Sequence, residues 1–109
     1  TLFRSVMSDE EVLELAAKAA GHRTFGFDEQ GSILIDPVVY TPWNPLRMNV
    51  DAFQLARQMD MSIHYGPKLI LVTEPACACS FTVEIDDPNI MSLTRKAITH
   101  LAASVGEWL

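Results

Sequence analysis

Cys77 and Cys79 flank a single alanine, and with His64 or His100 they could supply three metal ligands, since thiolate and imidazole suit zinc or copper. Structural zinc sites space paired cysteines by two to four residues and add a second ligand pair. Here one residue intervenes and no second pair follows. The two read as small, half-buried thiols in a connection before a strand, and no metal or other cofactor is expected. A Cys–His nucleophile pair is equally poor, because nothing local marks which thiol would be activated or what would orient an imidazole. Residues two apart on a strand face opposite sides, which disfavours a disulfide between them.

The remaining titratable groups have structural employment. Asp86 and Asp87 could be imagined as an acid/base pair, but Asp87 stands before Pro88 where a helix cap belongs, and Asp9, Glu10 and Glu11 complement a helix N-terminus. His22 follows a helix and can meet its C-terminal dipole. His64 alternates with Ile63 in a strand and faces solvent, and His100 borders the apolar stripe of a helix. The glycine-rich nucleotide, zinc-hydrolase and serine-hydrolase signatures do not occur. No residue is expected to be catalytic.

The most distinctive segment runs from Tyr40 to Leu46, Tyr-Thr-Pro-Trp-Asn-Pro-Leu, with Asp51 beyond it. An aromatic between two prolines offers a large, stiff contact surface, the make-up of an interface hot spot. The plainer alternative is that Trp43 plugs one end of the core while Asn44 bonds local backbone. Tyr40, Trp43, Asn44 and Asp51, with His64, are the candidate binding residues.

These groups must be positioned by the elements around them. A chain of 109 residues supports one core, and 49% apolar with 20% charged residues is ordinary for a globular fold. The expected single α+β domain spans 8–109, with residues 1–7 a remnant or disordered extension. Fourteen acidic against eight basic residues leave a net charge of −6, and the cations are scattered, so direct nucleic-acid binding is not expected. No apolar run approaches the roughly 18–20 residues of a membrane span, and no secretory signal appears, so the expectation is a cytoplasmic protein away from membranes.

Ser8 and Glu11 form a capping box, and Val12, Leu15, Ala16 and Ala19 recur at helical spacing up to Gly21, which predicts a helix over 9–20. Arg23–Phe27 and Ser32–Ile35 flank Asp28-Glu29-Gln30-Gly31 as a hairpin, and Val38–Tyr40 resumes an extended path. The prolines keep 41–46 out of a helix, predicting an ordered loop. A second helix over 50–59 carries Ala52, Leu55, Ala56 and Met59, capped by Asn49 or Asp51. Ser62–Tyr65, Lys68–Thr73 and the alternating Phe81, Val83 and Ile85 predict three strands. Asp87-Pro88 predicts the start of a last helix, with Ile90, Leu93, Ala97, Ile98, Leu101, Ala102 and Val105 on its apolar face. Arg95, Lys96 and Thr99 fall on the polar face, Gly106 ends the helix and Trp108 folds back on the core. The predicted fold is α+β in the order helix-β-β-helix-β-β-β-helix, a mostly antiparallel sheet with helices packed on one face.

At Trp43-Asn44-Pro45-Leu46 the chain resembles a family of small phage- and prophage-encoded proteins of unknown function related to the NinX type. Asp51-Ala52 leading into Leu55-Ala56, Asp87-Pro88, the Arg95-Lys96-Ala97-Ile98 helix and Leu13–Gly21 add to the likeness, which spans most of residues 8–106. It implies a phage or prophage accessory protein and brings no activity or catalytic residues with it. Arg47-Met48-Asn49-Val50 departs from the acidic, glycine-containing turn more typical at that place, and the Cys77 segment has no counterpart.

Two functions are compatible with these features. One is a non-enzymatic binding module that acts on a host protein through an acidic surface and the Trp43 loop, in host takeover or anti-defence. The other is a small-ligand binder or minor enzyme with a pocket beside the Trp43 loop, using His64, Asp51 or Cys77 as polar groups. Homodimerisation through an exposed strand is compatible with either.

Overall fold

The computed structural model of the protein describes residues 7–36 and 41–109. The expected N-terminal extension, apart from Met7, and the extended stretch 38–40 lie outside the described residues.

The capping box forms as the sequence requires: the Glu11 N–H donates to Ser8 Oγ, and the Ser8 N–H donates back to Glu11 Oε1. It starts α1, Asp9–Ala19. The helix stops at Gly21, whose φ of +81° lets the His22 N–H reach Ala17 O and the Gly21 N–H reach Lys18 O. The chain then turns into β1, Thr24–Phe27, and β2, Ile33–Ile35. Asp28 Oδ1 accepts from the Gln30 and Ser32 N–H groups and so shapes the turn between them.

The next segment differs from its expectation. Thr41–Trp43 is not loop but a third strand, β3, antiparallel to β2, with Trp43 opposite Ile33. Prolines forbid a helix there, yet the residue before a proline prefers extended geometry, and an edge strand tolerates the missing N–H. After α2, Asn49–Gln58, come β4, Ser62–Tyr65, β5, Leu69–Glu74, and β6, Cys79–Glu84. The described strands thus form two three-stranded antiparallel sheets, β1-β2-β3 and β4-β5-β6. Ile70, Val72 and Glu74 of β5 are buried while the residues between them are less so, which makes that sheet one-sided, as the period-2 pattern requires.

The last helix, α3, runs from Ile90 to Glu107 and packs against α1, α2, β5 and β6. The overall class is the expected α+β fold, with helices against the sheets.

Four features of α3 depart from the sequence reading. Its cap is Asn89, whose side chain accepts from the Ser92 N–H; Asp87 instead accepts from the Asn89 N–H in the turn before it. Thr99 is buried, as is Thr94, because each hydroxyl donates to a carbonyl one turn back, Arg95 O and Ile90 O, and so carries its own acceptor into the core. Gly106 lies inside the helix and is buried. A Cβ there would overlap the carbonyl oxygen of Leu15 and stand 3.2 Å from its Cα, so the glycine sets how closely α3 crosses α1. Trp108 does not return to the core; it is 81% exposed.

Both helices also carry buried alanines. Ala16 and Ala17 of α1 and Ala97, Ala102 and Ala103 of α3 are all fully buried, and side chains this short let elements approach closely. Gly106→Ala is therefore expected to push the helices apart and lower stability by about 2–3 kcal/mol. A urea unfolding curve with an unchanged midpoint would contradict this account of the crossing.

Candidate functional site

Trp43 ends β3 pointing inward, 6% exposed and part of the apolar core. The imidazole of His22 lies edge-on to the indole, with ring centroids 5.2 Å apart. His22 thus leans on the tryptophan, a contact between residues 21 positions apart that helix periodicity could not disclose. Burial lowers its pKa from the usual 6.5, and the nearby Asp51 carboxylate opposes that shift.

Beyond Trp43 the chain is tied down atom by atom. The Asn44 N–H donates to Asp51 Oδ2 at 2.9 Å. The Asn44 carbonyl accepts from the N–H groups of Arg47 and Met48, closing a turn around the buried Pro45. Leu46 O accepts from Arg95 Nε–H at 3.0 Å, and Asn49 Oδ1 from Arg95 Nη1 at 2.7 Å. Arg95 therefore reaches from α3 to both sides of the turn. Trp43, Asn44, Leu46, Asp51 and Arg95 are parts of one structural clamp.

This arrangement corrects the expected cap of α2. Neither Asn49 nor Asp51 caps it: the N-cap is Met48, without a side-chain hydrogen bond. Asn49 is engaged by Arg95 and Asp51 by Asn44, and both residues lie within the first turn, past the position from which a cap reaches forward.

Asn44 itself is 4% exposed, and its Nδ2 makes a long bond of 3.4 Å to Ser32 Oγ. Its Oδ1 is buried without a hydrogen-bond partner. Above it opens a cleft of about 540 Å³ between the β1–β2 turn, β3 and the start of α2. Asp28, Ser32, Asn44 and Asp51 contribute polar groups to its walls, Pro42, Met48 and Val50 apolar ones, and Arg47 a cation.

Of the candidate binding residues, the structure brings together Trp43, Asn44 and Asp51, the first as core beneath the other two. Tyr40 lies outside the described residues. His64 is exposed on β4 in the other sheet, away from the cleft. Cys77 is exposed in the turn after β5, so the trio of His64, Asp51 and Cys77 does not converge on a pocket beside Trp43. Ser32, Arg47, Met48 and Val50 were not singled out by sequence. The uncommon Arg47–Val50 stretch was their one signal.

A second depression, of about 350 Å³, lies at the far end of the other sheet beside Asp60, Ser62, Glu74 and Cys79. Its buried carboxylate is already used, since the Ala76 and Cys77 N–H groups donate to the two oxygens of Glu74. Burial raises the Cys79 thiol pKa, which keeps it protonated at neutral pH, the opposite of an activated nucleophile. Among the described residues, no group of three or more His, Cys, Asp or Glu could hold a metal ion, and no helix is long and apolar enough to cross a membrane. Compared with protein-family models, with curated proteins and with solved structures, the chain finds no match.

Two outcomes test this geometry. Asp51→Ala strips the buried Asn44 N–H of its acceptor and should destabilise the fold by about 1–3 kcal/mol, with Asp51→Asn milder because an amide oxygen can still accept. In the alanine variant the His22 titration, followed by NMR, should move to still lower pH, because the carboxylate that favours its charged form is gone; an unmoved midpoint would separate the two residues. The second outcome concerns pH. His100 stacks on Phe81, and burial and then Lys96 lower its pKa, against the weaker raising effect of Asp9. His22 and His100 thus bind protons more readily unfolded than folded, so stability is full above the unfolded pKa of 6.5 and falls as pH drops below it, until the folded values are passed. The urea midpoint should be lower at about pH 5.5 than at about pH 7.5, and the difference should shrink when both histidines are glutamine.

Proposed function

We propose that this protein is a non-enzymatic binding module whose partner is a basic protein, engaged at the start of α2 and the cleft beside it. One observation carries the reading: Met48 and Val50, 54% and 64% exposed, stand at the N-cap and in the first turn of α2, beside the turn that Arg95 and Asp51 tie down by hydrogen bonds. Exposed apolar side chains on a pre-organised backbone are what an interface core requires, because little ordering entropy is lost on contact. Phe53, exposed one turn further along α2, extends the apolar area.

Asp28 and Asp51 rim this area, and the whole chain carries −6, which favours a cationic partner through complementarity and faster encounter. Among the described residues, no set of side chains near the cleft has the arrangement of a nucleophile with its base. The resemblance noted at Trp43-Asn44-Pro45-Leu46 supports reading it as a phage or prophage accessory protein, and bacterial host proteins are the first partners to screen.

Chemical cross-linking in bacterial lysate, read by mass spectrometry, tests the reading. The wild-type chain should capture a basic protein through residues near Met48 and Val50, and the Met48→Gln/Val50→Gln variant, folded to the same extent, should lose it. Capture unchanged by the double substitution, or no partner at all, would overturn the proposal.

A further inference from the structure

Cys77 and Cys79 are the two thiols of the whole chain, and the fold gives them unlike surroundings. Contrary to the expectation from sequence, strand alternation does not govern the pair, because Cys77 lies in the turn 75–78 and only Cys79 belongs to β6. The turn is held firmly. The Ala76 and Cys77 N–H groups donate to the buried Glu74 carboxylate at 2.9 and 2.8 Å, and the Ala78 N–H donates to Pro75 O at 3.3 Å. Ala78 then takes a φ of +52°, a left-handed conformation that persists at an L-residue only where its surroundings impose it. A bend between the cysteines draws their Cα atoms closer than the roughly 7 Å of an extended pair, into the range of about 4.4–6.8 Å that a disulfide spans.

The side chains lean the same way. Cys79 Sγ donates to the Cys77 carbonyl at 3.5 Å. Burial is the main cause of the raised Cys79 pKa; the adjacent Cys77 sulfur, as a charge and as a hydrogen-bond partner, and then the Glu74 carboxylate raise it further.

These surroundings divide the two roles of thiol–disulfide exchange. The first attack needs a sulfur that a reagent can reach, and Cys77 is exposed. Cys79 is less accessible and holds its proton at neutral pH, but it stands beside the one sulfur it has to attack in the second step. A metal would need further ligands, and among the described residues no group of three or more His, Cys, Asp or Glu could supply them.

We propose that Cys77 and Cys79 form a reversible dithiol site for low-molecular-weight disulfides, in which Cys77 attacks and Cys79 resolves. The Cys77 thiolate attacks one sulfur of the small disulfide, whose S–S bond breaks as a mixed disulfide forms on Cys77. The other half leaves as a thiolate and takes up a proton equivalent to the one Cys77 gave to water. Cys79 then loses its proton to water and attacks the Cys77 sulfur. The Cys77–Cys79 bond forms, and the second half leaves as a thiolate that is protonated in turn. The protein pair is oxidised by two electrons, and the small disulfide is reduced to two thiols. Exposed disulfides are the labile ones, so excess small thiol reverses both steps. The site is independent of the binding role proposed for α2, since it lies at the tip of the β5–β6 hairpin.

The test exposes the reduced, folded chain to glutathione disulfide and follows the products over time by intact-mass spectrometry. Wild type should lose two hydrogens and end with no glutathione attached, and excess glutathione should restore the starting mass. Cys79→Ser should stop as the mixed disulfide, carrying one glutathione. Cys77→Ser should react at least about tenfold more slowly than Cys79→Ser, because only the shielded, protonated thiol remains. In urea that shielding is lost, and the two single variants should react alike. Far-UV spectra check that each variant is folded before urea is added, and alanine replaces serine where serine disturbs the turn. The inference fails if wild type accumulates as glutathionylated chain or as disulfide-linked dimers. It fails equally if folded Cys77→Ser reacts as fast as Cys79→Ser, or if their difference survives in urea.

Discussion

The close crossing of α1 and α3 is the constraint on which the rest of the molecule depends. At Gly106 the α3 backbone lies against Leu15 with no room for a Cβ, and both helices carry further buried alanines. A small-residue interface gives little apolar area per side chain, so its strength comes from dispersion between backbones held close. The benefit is geometric. With α1 drawn in, its C-terminal turn delivers His22 to Trp43, and Gln58 of α2 can donate to the Ala20 carbonyl at 2.6 Å.

From that crossing, α3 organises both ends of the fold. It lies on β5 and β6, packs against α2 and sends Arg95 across to the turn after Trp43. Arg95 is suited to this because a planar guanidinium can serve two acceptors at once, whereas an ammonium would bind one of them as a point charge. Trp43 is anchored from below by the core and from beside by β2. Asn44, immediately after it, is drawn under the surface by its neighbours rather than by its own polarity. An asparagine buried in this way meets its hydrogen-bonding needs only in part, which is why its Oδ1 has no partner.

The rigid clamp and the exposed rim are two consequences of one local arrangement. Asp51 and Asn49 are engaged in holding the turn and do not cap α2, so the N-cap position falls to Met48, which makes no side-chain cap and leaves its apolar side chain outside. A helix with a conventional cap would present serine or aspartate here. The surface left behind is apolar at its centre, acidic at its rim and backed by a backbone with little freedom.

How much of this was legible beforehand differs by level. Local rules sufficed for α1, with its capping box and Gly21 stop, for the Asp28–Gly31 turn and for the alternating strand β6, because each is set by interactions within a few residues. The α+β class followed from the order of those periods. Local rules failed where a distant group changed the meaning of a residue. Gly106 looked like a helix stop, but Leu15 makes it a packing residue. Thr99 looked like surface until its hydroxyl found Arg95 O and the methyl could be buried. Trp108 had no partner to return to. Trp43, Asn44 and Asp51 were singled out by sequence as a group, yet that they form a clamp with Arg95, 44 residues beyond Asp51, was decided by the α3 crossing. The cleft exists only in that assembled state, because its walls come from three segments: the β1–β2 turn, β3 and the start of α2.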